Sequence, residues 1–224
     1  MGVLDLLTNL ASLGVGVAAG SQAAVRAAQH RRPRPMPRQM AKLLDHPLRM
    51  RYRNPGATLG LFGLGAGMQV VDLGCGSGTF TVEMARMVGA QGMVHAVDLQ
   101  QPVLEMAQAR VVDAGFGAQV RFHNVGAYQL PLDDDSIDVA VLIATLGEIP
   151  DKLLALLELR RVLKPGGRLA ISEELPDPGY LPAGLARALI IEAGFAFGGH
   201  SGSPFCYSMI FSKPHVDSSL IERV

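Results

Sequence analysis

The feature that most constrains this chain is a glycine-rich stretch at residues 72–79, which reads Asp-Leu-Gly-Cys-Gly-Ser-Gly-Thr. The apolar run Met68–Leu73 predicts a buried strand, and the segment Phe80–Val88 predicts a helix with one apolar face. Glycines permit a sharp turn and let a ligand approach main-chain N–H groups, and a helix start adds unpaired donors with a partial positive charge. The stretch therefore predicts a strand–turn–helix unit suited to a ligand with an anionic group.

The spacing of the glycines excludes two other nucleotide-binding motifs. A dinucleotide fingerprint would need its third glycine where Thr79 or Thr81 stands, and a phosphate-binding loop would need a lysine that this stretch lacks. The remaining pattern, Asp-x-Gly-x-Gly-x-Gly, resembles the first motif of class I S-adenosylmethionine-dependent methyltransferases. The alternative is an ordinary glycine turn in an α/β sheet, and the segments downstream favour the methyltransferase.

A second acid follows the next predicted strand. Met93–Val97 is apolar, and Asp98 stands at its end, about twenty residues after Gly78, a separation that one helix and one strand bridge. A carboxylate at this strand tip can accept hydrogen bonds from both hydroxyls of a ribose, so we expect Asp98 to bind the ribose of a nucleoside cofactor. The alternative is a cap for the helix that begins near Pro102.

The segment after the third predicted strand matches the family in part. Ala127, Leu130 and Pro131 stand where the resemblance places an alanine and a leucine-proline pair. Gly126, however, replaces the acid that would bind the adenine amine. The main chain around Gly126 and Ala127, or the side chain of Asn124, is then expected to make the adenine contact.

The order of the predicted elements defines the fold class. Strands alternate with helices, and two final strands joined by glycine-rich residues predict an antiparallel hairpin. The expected fold is α/β: a Rossmann-like, seven-stranded, mostly parallel sheet with helices on both faces, an antiparallel C-terminal hairpin and an N-terminal helical extension. The other predicted strands are Ala118–His123, Ile137–Ala144, Leu169–Glu173 (after a tight turn at Lys164–Arg168), Phe195–His200 and Phe205–Phe211, and the other helices are Gln101–Ala114, Pro150–Leu163 and Leu181–Ala193.

The resemblance implies S-adenosylmethionine as the cofactor and S-adenosylhomocysteine as the product. Asp72 would accept from the ammonium group, the main chain of the glycine turn would hold the amino-acid end, and Thr79 would offer its hydroxyl or N–H to the carboxylate. Leu99 and Ile143, which follow the second strand and end the fourth, complete the expected pocket. The predicted cofactor-binding residues are Asp72, Gly74, Cys75, Gly76, Gly78, Thr79, Asp98, Leu99, Gly126, Ala127 and Ile143.

Methyl transfer places few demands on catalytic side chains. The methyl group sits on a sulfonium, so the leaving group is already activated and the protein mainly aligns donor and acceptor. A weakly acidic acceptor such as a phenol would need a base, for which Glu148, His200 and Tyr207 are weak candidates. Glu148 follows the fourth strand, where ligands of open α/β sheets bind, although an acid there equally suits the start of a helix.

Composition and motifs narrow the acceptor to a small molecule. The leucine-proline pattern resembles the branch that includes quinone, sterol and other lipid methyltransferases, whereas a formal net charge of +0 argues against nucleic acid. No metal is expected, because the consecutive acids Asp133, Asp134 and Asp135 lack the spacing of a calcium loop. The alternative function is a regulatory protein that binds S-adenosylmethionine or S-adenosylhomocysteine without transferring a methyl group.

The first part of the chain lies outside this resemblance, which covers about residues 68–214. Residues 6–25 carry no charge, and arginines follow at positions 26, 31, 32, 34 and 38. Three interpretations compete: a membrane anchor, a helix that packs on protein or on a membrane surface, and a secretory signal. The second is favoured because polar residues interrupt the apolar run and a basic start is missing. We therefore expect peripheral membrane contact or self-association through residues 1–36.

Three segments are expected in the chain. These are an apolar helix with a basic proline-rich linker at residues 1–36, a methyltransferase domain at 37–214 and a tail at 215–224. Within them, His30–Pro37 predicts the linker, and Gln39–His46 predicts a short helix that Pro47 ends. Asn54 predicts the cap of a further helix, with Pro55 at its first position.

Composition also bears on the size of the core and on the compartment. With 224 residues and 49% hydrophobic content, the chain is long enough for one domain with a full core. Its two cysteines, Cys75 and Cys206, are far apart and match no metal or redox spacing. A disulfide framework is not expected, and a reducing cytoplasm fits this cysteine usage.

Overall fold

The computed structural model describes residues 20–37 and 45–215, and the statements below concern those residues. The strands are β1 (Gln69–Leu73), β2 (Met93–Val97), β3 (Val120–His123), β4 (Ile137–Ile143), β5 (Leu163–Glu174), β6 (Ala196–Gly202) and β7 (Cys206–Ser212). They form one seven-stranded sheet in the order β3-β2-β1-β4-β5-β7-β6. Neighbouring strands from β3 to β5 are parallel, while β7 runs antiparallel to both β5 and β6. The predicted fold class is confirmed.

Helices cover both faces of the sheet. They are α1 (residues 20–31), α2 (Pro47–Tyr52), α3 (Pro55–Gly60), α4 (Thr79–Val88), α5 (Gln101–Asp113), α6 (Lys152–Val162) and α7 (Ala183–Glu192). Because successive side chains of a strand point to opposite faces, Val70 packs with α3, α4 and α5, and Val71 packs with α6 and α7. Both valines are fully buried, so this alternation creates two apolar layers around the central strands.

The two helices directly before the sheet, α2 and α3, begin at proline residues. The side chain of Asn54 accepts a hydrogen bond from the Ala57 amide, and Pro55 follows it, which confirms the predicted cap. Pro47, which was predicted to end a helix at residues 39–46, is also the first residue of α2, with His46 as the capping residue. A proline suits this first helical position because it has no amide hydrogen that would be left unpaired. Most of the predicted helix at residues 39–46 lies outside the described residues.

The fifth strand is longer than predicted. A turn at residues 164–168 was expected to precede it, but β5 starts at Leu163, which pairs with Ile137, and resumes pairing at Arg168 beside Val139. The glycines between these points form a bulge, in which Gly166 has a φ of +79°. The turn chemistry was therefore predicted correctly, but it produces an interruption within the strand and not a boundary.

The N-terminal helix packs beside the loop that follows β5. The Gln22 side-chain amide donates to the Pro176 carbonyl at 3.0 Å, and the Arg26 guanidinium lies 5.6 Å from the ring centre of Tyr180. The linker begins later than predicted, because α1 includes His30 and Arg31 and residues without regular secondary structure begin only at position 33. In the parts of the chain that the structure describes, no helix is long and apolar enough to cross a bilayer. Residues 1–19 of the predicted apolar segment lie outside the described residues.

Candidate active site

The candidate site lies at the carboxyl edge of the parallel strands. Leu73 ends β1 beside Val97, which ends β2, so the loops after both strands leave the sheet together. With the loops after β3, β4 and β5 they enclose a cavity of about 390 Å³. Pro35 and Met36, from the extended segment after α1, form part of its wall. This edge is where open α/β sheets bind their ligands.

The glycine turn after β1 requires glycine at two positions for steric reasons. Gly74 has a φ of +77°, and a Cβ added there would overlap the methyl group of Thr145 in the loop after β4. Gly78 has a φ of +81°, and a Cβ there would lie 2.8 Å from the Cα of Ala107 in α5. Gly74 therefore belongs to the cavity wall, whereas Gly78 serves the close packing of the turn on α5.

Most main-chain amides of the glycine turn form hydrogen bonds within the protein. Those of Gly74 and Cys75 both donate to the Val97 carbonyl, at 2.8 and 3.0 Å, and that of Gly78 donates to the Cys75 carbonyl. The Gly76 amide donates to Asp98 Oδ2 at 3.1 Å. These bonds attach the turn to β2 and to Asp98, and the predicted contact between its main chain and a ligand stays a prediction.

Asp98 is held in the wall of the main cavity. Besides the bond from Gly76, its Oδ1 accepts from the Gln100 amide at 2.9 Å. Burial raises the pKa of Asp98 above its ordinary value, and these two amides oppose that shift by stabilising the carboxylate. Asp98 is not the cap residue of the following helix, because Gln100 occupies that position and Asp98 accepts from its amide. The carboxylate is thus fixed in orientation at the position predicted for ribose binding.

Asp72 lies behind the glycine turn and not in the main cavity. It belongs to an adjoining cavity of about 40 Å³, which shares Gly74, Gly76 and Ile143 with the larger one. Only 2% of Asp72 is exposed, and Oδ2 accepts from the Thr81 hydroxyl at 2.6 Å. Burial raises the pKa of Asp72 to about 7, and the charge of Asp98 adds to this effect. The two predicted acids thus line neighbouring cavities with a common wall.

Cys75 and Thr79 also line the smaller cavity. The Cys75 thiol is buried, and burial raises its pKa well above the ordinary value, so it behaves as a neutral packing group. The Thr79 hydroxyl bonds to the Asp45 carboxylate and the Arg110 guanidinium. Sequence reasoning missed Asp45, since nothing in the local pattern around it indicates a partner so far along the chain.

Asp45 forms a compact polar cluster with the start of α4. Its carboxylate pairs with Arg110 at 2.5 Å and accepts from the Ser77 hydroxyl at 3.2 Å. Burial alone would raise the pKa of Asp45, but hydrogen bonds from Arg110, Thr79 and Ser77, with the arginine charge, lower it. The carboxylate is therefore ionised at neutral pH and is bonded to Ser77 and Thr79, which line the smaller cavity.

The region predicted for adenine binding combines small residues with an open space. Leu99, Gly126 and Ala127 line the main cavity, and Leu99 is 61% exposed. A Cβ on Gly126 would meet only the Leu99 side chain, at 4.0 Å, so the space beside Gly126 is open. Asn124 donates to the carbonyls of Asp98 and Leu99, both at 3.0 Å, and so joins two loops of the cavity wall.

Of the three weak catalytic candidates, one lines the main cavity and two do not. Glu148 lines the main cavity together with Asp177, an acid that the sequence analysis did not select. Tyr207 is 1% exposed and donates to the Leu181 carbonyl at 2.6 Å, and burial raises its pKa. His200 lies on β6, 5.8 Å from the Tyr207 ring, and neither residue belongs to the wall of the main cavity. The structure therefore leaves Glu148 as the candidate in position.

Metal ligation has no support in the described residues. No group of three or more histidine, cysteine or acidic side chains among residues 20–37 and 45–215 has the arrangement of a metal site. Asp135 pairs with Lys213 and Asp134 with Arg161, so two of the three consecutive acids form surface ion pairs.

Comparisons with known proteins agree with this geometry. A family model described as a methyltransferase domain matches residues 64–183, more than half of the chain. The chain is 37% identical over 116 residues to the ubiquinone/menaquinone biosynthesis C-methyltransferase UbiE of Idiomarina loihiensis, a match covering 52% of this chain and 46% of that protein. It is 32% identical over 116 residues to the demethylmenaquinone methyltransferase of Bacillus subtilis, of which the match covers 49%.

The chain thus spans about half the length of the curated relatives it matches. Among solved structures, a SAM-dependent methyltransferase from Aquifex aeolicus superposes with a TM-score of 0.74 at 27% identity. That superposition covers 80% of this chain and 100% of the other, so it extends beyond the residues that the family model matches.

Proposed function

Because the chain belongs to the methyltransferase-domain family, we propose that it transfers the methyl group of S-adenosylmethionine to a small apolar acceptor. The observation that carries this proposal is the cavity at the carboxyl edge of β1, β2 and β4. It combines a glycine turn, the oriented carboxylate of Asp98 and an apolar wall. S-adenosylhomocysteine would be the second product.

The two adjoining cavities fit the parts of the cofactor. Asp98 is placed to accept from ribose hydroxyls, and the space beside Gly126 and Leu99 suits a planar base. The smaller cavity, with the buried Asp72, suits the ammonium group of an amino-acid end. A cation beside Asp72 would favour its charged form, which burial otherwise disfavours. The wall shared by the cavities is where Gly74 and Gly76 allow close approach.

The chemistry follows from the sulfonium. The methyl group is already bound to a good leaving group, so the residues of this chain are needed to bind, orient and exclude water. Asp98, with two amides fixing it, would hold the cofactor in one orientation. The loops that carry Met36, Ile149 and Pro150 would keep the acceptor side of the cavity dry.

We propose a quinone-like acceptor, in its reduced form, for two reasons. Met36, Ile149 and Pro150 offer an apolar surface beside the cofactor-binding wall. The relatives from Idiomarina loihiensis and Bacillus subtilis are named for quinone methylation. A short-chain prenylated naphthoquinol, which dissolves in mild detergent, represents this class as a probe.

The experiment uses cofactor labelled in the methyl group. Wild-type protein should transfer the label to the naphthoquinol, and the variant Asp98→Ala should lose the transfer. Asp113→Ala, which removes an exposed acid at the end of α5, is the matched control and should retain it. Cofactor binding without transfer to any of a panel of quinols and phenols would favour the regulatory alternative, and absence of both binding and transfer would refute the proposal.

We also propose that the protein is cytoplasmic and touches membranes or itself through residues 1–36. The support is the uncharged segment followed by arginines, together with α1 and Met36 lying beside the cavity. Vesicles containing anionic lipid should sediment the full chain but not a variant that lacks residues 1–36. Sedimentation velocity of both forms tests self-association. Equal behaviour of the two forms in both measurements would contradict this proposal.

A further inference from the structure

Two loops at the acceptor side of the main cavity are packed against each other through glycines. Gly147 belongs to the loop after β4, and Gly179 to the loop after β5. A Cβ on Gly147 would overlap the carbonyl oxygen of Gly179, so the two main chains are in direct contact. Any larger residue at position 147 would separate the loops. Their contact places Glu148, the neighbour of Gly147, beside Asp177.

The two carboxyl groups flank the same glycine. A Cβ on Gly179 would lie 3.1 Å from Asp177 Oδ1 and 3.5 Å from Glu148 Cγ. Each acid is oriented by one main-chain amide: that of Gly179 donates to Asp177 Oδ1 at 2.5 Å, and that of Met36 donates to Glu148 Oε2 at 3.1 Å. Both side chains line the main cavity. They are therefore a fixed pair, held from three segments of the chain.

Their surroundings disfavour two negative charges. Burial is the main cause that raises the pKa of Glu148, to about 8, followed by the charge of Asp177 and a smaller effect of Asp98. Burial also raises the pKa of Asp177, and the charge of Glu174 adds to that shift, while the Gly179 amide, Arg53 and Arg49 oppose it. Glu173 is buried near the end of β5. Burial raises its pKa, and the charges of Asp177 and Glu148 add to that shift. Within the described part of the chain, neither Glu148 nor Asp177 forms a salt bridge.

We propose that Glu148, fixed beside Asp177 in the wall of the main cavity, accepts the proton of a hydroxylated methyl acceptor; this inference rests on the proposed function. The acceptor's O–H proton, or the C–H proton of the carbon that is methylated, passes to the Glu148 carboxylate. The acceptor's electron pair forms the bond to the methyl carbon, and the S–CH3 bond breaks with its pair remaining on sulfur. The proton then leaves Glu148 to solvent.

The pair selects a class of acceptor. A phenol or quinol hydroxyl has a pKa of about 10, and a base of pKa about 8 can remove such a proton during bond formation. An ordinary solvated glutamate, with a pKa of about 4.3, would be a far weaker base for this task. Met36, Ile149 and Pro150 supply the apolar surface against which an aromatic ring would lie. The acceptor is therefore an aromatic or quinol compound with an acidic hydroxyl.

The first test needs no acceptor. In protein labelled with 13C at the glutamate carboxyl groups, one resonance should titrate near pH 8 and vanish in Glu148→Gln. Asp177→Asn should lower that pKa measurably, because it removes the neighbouring charge. Glu192→Gln, at the exposed end of α7, is the matched control and should leave the resonance unchanged. A Glu148 resonance that titrates between pH 4 and 5 would overturn the inference.

The second test follows turnover of the naphthoquinol. Glu148→Gln should lower kcat by about 100-fold or more while the Kd of S-adenosylhomocysteine stays within about twofold of wild type. Glu148→Asp should restore part of the activity, and Asp177→Asn should move the acidic limb of the kcat profile to lower pH. Equal kcat in wild type and Glu148→Gln would overturn the inference but leave the proposed function intact. If the wild type transfers no label to any hydroxylated acceptor, the inference falls together with that function.

Discussion

Asp72 is a residue whose environment sets its charge. It is fully enclosed behind the glycine turn, with the Thr81 hydroxyl as its hydrogen-bond donor. Burial moves the pKa of its carboxyl from an ordinary 3.8 to about 7. The folded state holds this proton more tightly than the unfolded chain. The contribution of the Asp72 carboxyl to the free energy of unfolding is therefore largest below pH 4 and falls as the pH rises towards 7.

The variant Asp72→Asn should therefore stabilise the protein in a pH-dependent way. Its free energy of unfolding, relative to wild type, should increase between pH 4 and pH 7 and stay constant above. The increase should not exceed about 4 kcal/mol, which corresponds to the separation of the two pKa values. Urea unfolding across that range measures it, with the exposed Asp113→Asn as control. A difference that is independent of pH would show that Asp72 ionises normally in the folded protein.

Gly74 offers a second test at the same scale. A side chain there must adopt a φ of +77° and also overlap Thr145. Gly67 has a similar φ of +79°, but a Cβ there would meet nothing within 4 Å. Gly67→Ala should lower the free energy of unfolding by about 1–2 kcal/mol from backbone strain alone. Gly74→Ala should lower the free energy of unfolding clearly more than Gly67→Ala does, as measured by urea unfolding. Equal losses in the two variants would show that the turn can move away from Thr145.

At the scale of elements, sequence patterns predicted the strands, turns and helices that depend on the local sequence. The bounds of β1, the turn and α4 were predicted nearly residue for residue. The prediction came from the apolar run Met68–Leu73, the glycines after it and the apolar face of the helix. The bulge in β5 was not predicted, because it depends on pairing with β4 and not on the local sequence. The start of α2 at Pro47 was not predicted either, because proline is common both after the end of a helix and at the first helical position.

The contact between the loops after β4 and β5 is an element-scale feature that can be tested by itself. Gly147→Ala should destabilise the protein by about 2 kcal/mol or more, because the added methyl group meets rigid main chain at Gly179. Gly184→Ala lies in α7 with free space around it and should stabilise by up to about 1 kcal/mol. Thermal and urea unfolding of both variants measure these effects. A Gly147→Ala protein as stable as wild type would show that the loops are not tightly joined.

At the scale of the whole molecule, the site is assembled from distant parts of the chain. Asp98 could be predicted, because it follows a strand at the separation that one βα unit imposes. Asp45, Met36 and Asp177 could not, since each reaches the cavities through contacts across many residues that no local pattern records. His200 and Tyr207 were expected near the mouth of the site, but the sheet places them on the final hairpin, and neither lines the main cavity.

The central proposal is that the cavity beside Asp98 binds the cofactor. Calorimetric titration with S-adenosylhomocysteine tests it most directly, because binding requires no acceptor. Wild type and Asp113→Ala should bind with micromolar affinity, and Asp98→Ala should bind at least about tenfold more weakly, since a carboxylate hydrogen bond to the ribose contributes about 1.5–3 kcal/mol. Folded Asp98→Ala protein that binds as tightly as wild type would contradict the proposal.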